Sequence, residues 1–532
     1  MTTLAQSLLA GLKARGITQV FGIPGVHNLE LYRALPESGL RHLGGRHEQA
    51  LGFMADGYAR ISGRPAACLT ITGPGLTNIL TAMAQAYAES VPMLVIASQN
   101  RQGEIGTGRG FLHELPDQAA LAALVSAASF SLTDAQQLPA VLDAAFDACC
   151  AARPRPVYIE VPRDALAASA DGIDQKRTSA SAPPPSADAA ALGRAATLLR
   201  TARQPLLVAG GGARGAGVEL RRLAEHLQAP VVMTTNGRGL LPAAHPLGIS
   251  FSPSLAPVRE LIGAADVVVA AGTELGPTDF DMYSTGTLPP PAGLIRIDID
   301  TPQLTRNATP AVPLLGDCRQ TLAALLAQDL GPGRLGGVAS DLAAVRAAST
   351  AALSAAMRRQ IGLLEMIRDA LPEAVMVGDS TQPVYAGNLG FAAAAAGSWF
   401  NSATGYGTLG YGLPAAIGAS IAAPDRPVIA LLGDGGLQFC LGEFGTLRDL
   451  SPWVAVLVWN NGGYGEINAS MQQAGILPLG VDIRPPQLEP LAHAYGLAYR
   501  RVASGAELER DLQEFRRTRQ PLIVDIDARP FE

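Results

Sequence analysis

The sequence has few charged residues for its length and no cluster of basic ones. Asp, Glu, Lys and Arg make up 16% of the 532 residues, and the formal net charge is -6. The lack of basic runs argues against nucleic acid as a partner. No apolar run is long enough to cross a bilayer, so we expect a soluble protein that does not enter membranes. With 48% hydrophobic residues, the chain is predicted to be globular rather than disordered.

Cysteine is also scarce. The five cysteines show no spacing typical of a metal site, and the adjacent Cys149 and Cys150 are predicted to pack within a helix. Residues 1–17 predict an amphipathic helix ending at Gly16, without a secretory cleavage pattern. A reduced, cytoplasmic location is therefore expected.

Two stretches rich in small, polar or turn-forming residues divide the sequence into three blocks. They are residues 171–191 (DGIDQKRTSASAPPPSADAAA) and 330–341 (LGPGRLGGVASD). The predicted domains are 1–170, 188–330 and 350–532. In each block, short β-branched runs alternate with Ala/Leu-rich helical stretches, which indicates parallel sheets covered on both faces. The predicted fold class is α/β, with three doubly wound parallel-sheet domains.

Two predicted strands of the third block end in residues that suit a metal ion. The run LLGDGG places Asp434 at the end of one strand, and WVAVLVWNN ends the other in Asn460 and Asn461. The interval from Asp434 to Asn461 accommodates strand, helix and strand, so both side chains should emerge at one sheet edge. A carboxylate and an amide oxygen suit Mg²⁺, and the glycines after Asp434 allow backbone N–H groups to approach an anion.

These motifs, with others in the first block, resemble the thiamine diphosphate enzymes of the acetolactate synthase and 2-oxo acid decarboxylase superfamily. Residues 20–25 (VFGIPG), 46–60 (RHEQALGFMADGYAR) and 72–78 (TGPGLTN) resemble its pyrimidine-binding domain. Residues 405–419 (GYGTLGYGLPAAIGA), with GDGG and NN, resemble its diphosphate-binding domain. The resemblance covers the whole chain and makes the second block a central Rossmann-like domain. It implies thiamine diphosphate and Mg²⁺, bound between two chains of a homodimer or homotetramer.

The resemblance gives roles to individual residues. Glu48 corresponds to the acid that activates the cofactor, since a buried glutamate on the pyrimidine ring nitrogen lets the 4′-amino group act as a base. The alternative is a cap for a helix that begins near Gln49. Asp434, Asn461 and the carbonyl of Gly463 correspond to the Mg²⁺ ligands. The expected cofactor contacts are Gly25, Thr72, Asn78, Thr381, Gln382, Gly407, Leu409, Gly435, Gly436 and Tyr464.

Further roles concern the reacting end of the cofactor. Leu409 takes the place of the apolar residue that forces the two cofactor rings together, and an ordinary core leucine is the alternative. The resemblance also makes His27 and His113 catalytic candidates, since both positions face the reacting carbon in relatives. An imidazole there would relay protons. The alternative for both is a structural histidine. Val26 is assigned to the substrate pocket.

The stretch NNGGYGEI, residues 460–467, places an acid beside the predicted phosphate site. In relatives the position of Glu466 lines the substrate pocket and is commonly apolar. Pyruvate decarboxylase-like proteins carry a catalytic glutamate one position later, where this sequence has Ile467. We interpret Glu466 as the partner of a cationic substrate tail, for which a charge-assisted hydrogen bond contributes about 1.5–3 kcal/mol. A solvated glutamate at a helix start is the alternative.

Residues 378–388 (GDSTQPVYAGN), with NNGGYGEI, resemble the 5-guanidino-2-oxopentanoate decarboxylases of arginine catabolism. The implied reaction is conversion of that 2-oxo acid into 4-guanidinobutanal and CO₂. An acetolactate synthase-like carboligase is the alternative, followed by a catalytically silent scaffold. In the synthase an arginine grips FAD, whereas the matching residues 272–283 (GTELGPTDFDMY) have no Arg or Lys, which argues against FAD. Residues 210–217 (GGGARGAG) are predicted to form a tight turn between strand and helix.

Overall fold

A computed structural model describes residues 1–151, 153–173, 183–280, 293–333 and 338–531. Parts of both predicted linkers, and the end of the segment compared with the flavin site, lie outside these ranges. Within them, no helix is both long enough and apolar enough to span a membrane.

The described strands form three six-stranded sheets, and every strand pairing within them is parallel. The first sheet contains β1 (Gln19–Gly22), β2 (Arg41–Leu43), β3 (Ala67–Thr70), β4 (Met93–Gln99), β5 (Ala128–Ser131) and β6 (Pro156–Pro162). The second contains β7 (Pro205–Ala209), β8 (Val231–Met233), β9 (Gly248–Ile249), β10 (Val267–Ala271), β11 (Gly293–Asp298) and β12 (Val312–Leu315). The third contains β13 (Val375–Gly378), β14 (Trp399–Asn401), β15 (Val428–Gly433), β16 (Val454–Asn460), β17 (Ala498–Val502) and β18 (Leu522–Asp527).

Helices cover the sheets. Those of the first unit are Leu4–Ala14, Leu29–Ser38, Glu48–Ser62, Pro74–Ala88, Gln118–Ala123, Leu138–Phe146 and Arg163–Ala167. Around the second sheet lie Ala189–Thr201, Gly217–Leu227, Ala256–Gly263, Pro277–Phe280, Cys318–Leu326 and Val338–Ala352. Around the third lie Ala355–Ala370, Gln382–Gly390, Gly412–Ala422, Asp434–Leu437, Glu443–Leu450, Gly465–Gln473, Leu488–Ala494 and Gly505–Thr518.

The first and third sheets have the same strand order. The orders are β2-β1-β3-β4-β6-β5 and β14-β13-β15-β16-β18-β17, whereas the central sheet runs β12-β11-β10-β7-β8-β9. The direction of winding reverses between β1 and β3, and between β13 and β15. Ligands of open α/β sheets bind at the carboxyl ends of strands beside such a reversal. The prediction of an α/β protein with three parallel-sheet domains is confirmed, and two of the domains share one topology.

The first and third domains also share a core. The helices Glu48–Ser62 and Gly412–Ala422 cross at Gly57, where an added Cβ would lie 1.9 Å from the carbonyl oxygen of Ala415. Only glycine allows the two backbones to approach this closely. Buried residues of both domains therefore form one continuous cluster. Of the adjacent cysteines in the first domain, Cys149 is buried and Cys150 is exposed, so only one packs inside.

The central sheet has its own core, to which the helix Val338–Ala352 adds Leu342. Arg346 of this helix donates to the carbonyl of Gly248 at 2.9 Å. We therefore propose that the central domain extends beyond residue 330 to include this helix.

One buried arginine ties the central domain to the third. The guanidinium of Arg238 donates to the carbonyl of Asn388 at 2.7 Å and to that of Gly387 at 3.3 Å. Both carbonyls belong to the last turn of the helix Gln382–Gly390, where a cation is favoured by the helix dipole. Burial lowers the pKa of Arg238 to about 10, so it stays charged at neutral pH. The opposite end of this helix lies at the candidate site.

Candidate active site

Three polar side chains emerge side by side at the carboxyl edge of the third sheet. Asp379 follows β13, Asp434 follows β15 and Asn461 follows β16, and these three strands are neighbours. The edge lies beside the reversal between β13 and β15. It is therefore where the topology favours a ligand.

The two adjacent asparagines have different partners. Asn460 donates through Nδ2 to Asp525 Oδ1 at 3.0 Å, within the sheet. Asn461 donates through Nδ2 to Gln382 Oε1 at 3.2 Å. That oxygen also accepts from Trp459 Nε1 at 3.0 Å, which fixes the orientation of the Gln382 amide. Rotating the Asn461 amide would set its oxygen against that of Gln382, although the rotated nitrogen would donate to Gly463 and Asp434.

In the orientation that keeps its bond to Gln382, Asn461 brings three oxygens together. Its side-chain oxygen lies 2.9 Å from the carbonyl oxygen of Gly463 and 3.1 Å from Oδ1 of Asp434. Three acceptors without a donor between them repel one another unless a cation lies among them. Hard oxygens from a carboxylate, an amide and a backbone carbonyl are the ligands that Mg²⁺ prefers. The arrangement fits a magnesium ion.

The second carboxylate oxygen of Asp434 points to the same conclusion. Asp434 is 1% exposed, and its Oδ2 has no hydrogen-bond partner. Burial raises the pKa of this carboxyl, although backbone N–H groups around it act to lower the pKa. A buried, incompletely paired carboxylate is unfavourable unless a cation compensates it.

Asp379 organises the neighbouring strand end. It accepts from the backbone N–H of Ser380 at 2.8 Å and from that of Gly412 at 3.0 Å. Burial raises its pKa to about 6. The side chain thus joins the end of β13 to the start of the helix Gly412–Ala422.

The predicted diphosphate contacts lie around this edge. Thr381 is the N-cap residue of the helix Gln382–Gly390, but its side chain makes no capping bond. A Cβ on Gly433 would lie 3.1 Å from the hydroxyl oxygen of Thr381, and one on Gly435 would lie 2.6 Å from the ring of Tyr464. A Cβ on Gly436 would lie 3.4 Å from Oδ1 of Asp379, an ordinary contact distance. Close packing explains Gly433 and Gly435, and this edge exposes a helix N-terminus, which is suited to an anion.

A buried glutamine of the first domain holds the segment 404–411. Gln85 donates through Nε2 to the carbonyl of Thr404 at 3.3 Å and accepts from the N–H of Thr408 at 3.4 Å. The carbonyl of Thr408 accepts from the hydroxyl of Ser402 at 2.7 Å. Both ends of the intervening turn are therefore fixed.

The two predicted contacts in this segment lie on its open side. Gly407 is exposed, with φ of 76°, and Leu409 is half-buried. Leu409 is not among the buried residues of the described cores, and its contact with the cofactor rings stays a prediction. A fixed segment with an accessible leucine can press an apolar group against a bound ring.

Glu48 lies at the first residue of the helix Glu48–Ser62. The helix cap is His47, whose Nδ1 accepts from the N–H of Gln49 at 3.2 Å, so the alternative that Glu48 serves as the cap is wrong. Oε2 of Glu48 accepts instead from Nδ2 of Asn78 at 2.9 Å. Glu48 is only half-buried in the single chain.

His27 belongs to a buried polar cluster at the carboxyl edge of the first sheet. Its Nδ1 lies 3.0 Å from the hydroxyl of Thr72, which lies 3.4 Å from that of Ser98. The pKa of His27 is lowered, first by burial and then by the charges of Arg163 and His113. His27 is therefore neutral at pH 7, with one ring nitrogen able to donate and the other able to accept.

His113 faces His27, with ring centroids 5.0 Å apart. Its φ of 63° is rare for a residue other than glycine. The backbone there touches Gly73, where an added Cβ would lie 2.5 Å from the carbonyl oxygen of His113. Such strain is common at functional sites, and it fits a residue held for function.

The turn after β1 carries the remaining predicted residues of this edge. The N–H of Gly25 donates to Oδ1 of Asn28 at 2.9 Å, and a Cβ on Gly25 would lie 2.7 Å from the side chain of Ile71. Val26 is 64% exposed. An exposed valine next to a buried histidine is accessible to a ligand.

Glu466 is exposed in the first turn of the helix Gly465–Gln473. None of the nine residues of this helix is buried. The carboxylate is close enough to Tyr385 to contribute to the raised pKa of that phenol, after burial, which is the larger cause. Glu466 thus lies near the helix that follows β13, on the side of the predicted metal ligands.

A cavity of about 870 Å³ lies between the three domains and reaches Thr404 and Gly405, at the start of the segment 404–411. Its lining includes the glycine turn at 210–212, which separates β7 from the next helix as predicted, and Gly272 after β10. A Cβ on Gly210 would lie 2.4 Å from the carbonyl oxygen of Gly272, so close packing of two turns explains that glycine. The lining also includes five arginines: Arg60, Arg153, Arg155, Arg214 and Arg306.

Sequence reasoning missed the residues that support the site. Gln85 and Gln118 are fully buried, and Gln118 accepts from the N–H of Gly73 at 2.8 Å and donates to the hydroxyl of Tyr158 at 2.7 Å. For Gln85, the sequence offers one signal of such a role, a glutamine on an otherwise apolar helix face.

Three family models match the chain in order. The N-terminal TPP binding domain of thiamine pyrophosphate enzymes matches residues 2–121, the central domain 192–325 and the C-terminal TPP binding domain 379–526. A probable 2-ketoarginine decarboxylase of Pseudomonas aeruginosa is 45% identical over 96% of this chain and 91% of its own. An acetolactate synthase of Arthrospira platensis is 31% identical over 98% and 94%. The large subunit of acetolactate synthase isozyme 1 of Escherichia coli is 29% identical over 98% and 93%.

Proposed function

Because the chain belongs to the thiamine pyrophosphate enzymes, we propose that it catalyses the non-oxidative decarboxylation of a 2-oxo acid. The proposed substrate is 5-guanidino-2-oxopentanoate (2-ketoarginine), and the products are 4-guanidinobutanal and CO₂. The relative with 45% identity is named for this substrate, and the acid at Glu466 suits its guanidinium. We further propose that the enzyme acts in the cytoplasm, in arginine breakdown.

The observation that carries the proposal is the convergence of oxygens from Asp434, Asn461 and Gly463. These atoms would hold Mg²⁺, which would bind the diphosphate beside Thr381, Gln382, Gly435 and Gly436. When bound, thiamine diphosphate supplies a nucleophilic carbon and an electron sink for the carboxyl group that leaves as CO₂. No flavin is needed for this reaction.

The pyrimidine end of the cofactor would meet residues of the first domain. Glu48 would exchange a proton with the ring through its carboxyl group, held by Asn78. The carbonyl of Gly407 would accept from the amino group, and Leu409 would press on the rings. Glu48 is only half-buried in one chain. An activating acid must be buried from solvent, and a second chain would complete this burial.

His27 and His113 would act at the reacting carbon. The low pKa of His27 keeps one nitrogen able to accept a proton and the other able to donate one at neutral pH. The rings of His27 and His113 face each other, so either imidazole would be placed to donate a proton to the product. Val26 would line the same pocket.

The overall proposal is tested by measuring CO₂ release from a panel of 2-oxo acids, with and without thiamine diphosphate and Mg²⁺. We expect cofactor-dependent release, fastest with the guanidino acid. Product analysis distinguishes the carboligase alternative suggested by the acetolactate synthase relatives, because decarboxylation yields an aldehyde and carboligation a longer hydroxyketone. A protein that binds the cofactor but releases no CO₂ would contradict the proposal.

Glu466→Gln is expected to lower kcat/KM for 5-guanidino-2-oxopentanoate by about ten- to a hundredfold, the value of one charge-assisted hydrogen bond. Uncharged 2-oxo acids of similar length should be turned over as before. The measurement is kcat/KM for both substrate types. Glu489→Gln is the control, since Glu489 is also exposed in the first turn of a helix of this domain. An equal loss on both substrates would remove Glu466 from substrate recognition.

A mixed dimer tests whether each site is built from two chains. One chain carries Glu48→Gln and the other Asp434→Asn, and the dimer is isolated through two different tags. If Glu48 and Asp434 of one site come from different chains, one site of the two is intact, and about half of the wild-type activity per dimer is expected. If both come from the same chain, each site lacks one group and the mixed dimer is as inactive as its parents.

A further inference from the structure

A buried polar network joins all three domains directly behind the segment 404–411. We name it the junction network, and its members are Asp56, Arg60 and Glu89 of the first domain, Asn236 of the central domain and Tyr411 of the third. The proposed reaction gives these residues no role.

One end of the network holds Tyr411. Oδ1 of Asp56 accepts from the hydroxyl of Tyr411 and from Nε of Arg60, the latter at 2.6 Å. Asp56 and Tyr411 are both fully buried. The guanidinium of Arg60 also lies over the ring of Phe400, 5.3 Å from its centroid. A charged, water-excluded hydrogen bond of this kind is strong and directional.

The other end holds Gly405. Nη1 of Arg60 donates to Oδ1 of Asn236 at 3.4 Å, and Nδ2 of Asn236 donates to Oε2 of Glu89 at 2.6 Å. The side chains of Arg60 and Glu89 are 2% and 4% exposed. The backbone of Gly405 rests on Glu89, since an added Cβ would lie 2.3 Å from Oε1 of that carboxylate.

The two ends of the network therefore fix the two ends of the segment. Gly405 precedes Gly407 and Leu409, and Tyr411 follows them as the N-cap residue of the helix Gly412–Ala422. We propose that Asp56 and Tyr411 are positioning residues for the cofactor: their hydrogen bond sets where Leu409 and the carbonyl of Gly407 meet its rings. This inference rests on the proposed function. Contacts of this kind need placement within about 0.5 Å. Gln85 holds Thr404 and Thr408, and Tyr411 supplies the anchor on the other side of Leu409.

Tyr411→Phe tests the inference, because it removes one hydroxyl and leaves the ring and the Asp56–Arg60 pair in place. We expect the Kd for thiamine diphosphate, measured calorimetrically in excess Mg²⁺, to rise by about ten- to a hundredfold. The near-ultraviolet circular dichroism of the bound cofactor should change as well. Tyr58→Phe is the control, since Tyr58 lies on the same helix as Asp56 and its hydroxyl lies 3.0 Å from that of Thr18 in a hydrogen bond remote from the segment. It should lower the melting temperature similarly and leave the Kd unchanged.

Asp56→Asn supplies the second test. If Asp56 acts on the cofactor through Tyr411, the effects of Asp56→Asn and Tyr411→Phe on the Kd are not additive in the double variant. The inference is overturned if Tyr411→Phe binds the cofactor with the wild-type Kd and the wild-type dichroism. Failure of the wild-type protein itself to bind thiamine diphosphate would instead contradict the proposed function, so the two failures are distinguishable.

Discussion

Glu48→Gln is expected to lower the turnover of 2-oxo acids by about 10²- to 10⁴-fold, the contribution of a positioned acid–base group. Glutamine has the same shape and its oxygen can still accept from Asn78, but it has no carboxyl proton to exchange with the cofactor. The hydrogen bond at 2.9 Å is therefore kept while the proton transfer is lost. The measurement is kcat at saturating cofactor, together with the melting temperature.

The control for this prediction is Glu507→Gln. Glu507 is also in the first turn of a helix, Gly505–Thr518, where it accepts from the N–H of Ala503 at 2.8 Å. Its neutralisation should cost some stability and leave turnover unchanged. Near-normal turnover in Glu48→Gln would contradict a catalytic role for Glu48, regardless of the result for Glu507→Gln.

Asp434→Asn is expected to abolish the stabilisation of the protein by Mg²⁺ and thiamine diphosphate. A ligand present at about 100 times its Kd stabilises the folded state by about 2.7 kcal/mol, and the variant should lose this gain. Without ligands, the variant should melt at or above the melting temperature of the wild-type protein. The reason is that a neutral amide replaces a buried carboxylate, one oxygen of which has no hydrogen-bond partner. Thermal unfolding with and without the two ligands measures both effects.

Asp525→Asn is the matched control on the same sheet. Asp525 is also buried, but its carboxylate accepts from Nδ2 of Asn460 at 3.0 Å and from the hydroxyl of Tyr499 at 3.1 Å. This variant should melt lower without ligands and keep the ligand-induced gain. An Asp434→Asn protein that is destabilised without ligands, yet still stabilised by Mg²⁺ and thiamine diphosphate, would contradict the assignment of a metal ion.

The sheets and the groups at their edges follow from local pattern. Runs such as those of β4 and β16 are buried along almost their whole length, so their apolar character alone predicts a central parallel strand. Side chains just after such strands must emerge at one edge. This is why the proximity of Asp434 and Asn461 could be inferred without a structure.

Contacts between domains could not be inferred in this way. Gln85 lies more than three hundred residues from the segment that it holds, and no local pattern links the two. The same applies to the cavity between the domains, whose charge residues 272–283 do not determine alone. Arginines such as Arg153 and Arg214 reach that cavity from elsewhere in the chain, so a single segment does not determine its charge.

The helix that carries Glu466 has no buried residue. Substitutions on such an element typically change the free energy of unfolding by about 0.5 kcal/mol or less. Mutations there are therefore expected to leave the third sheet in place, together with the residues proposed to hold the diphosphate and the metal. If Glu466 selects the substrate as proposed, the preferred 2-oxo acid can be changed by substitutions on this helix at little cost to the stability of the single chain.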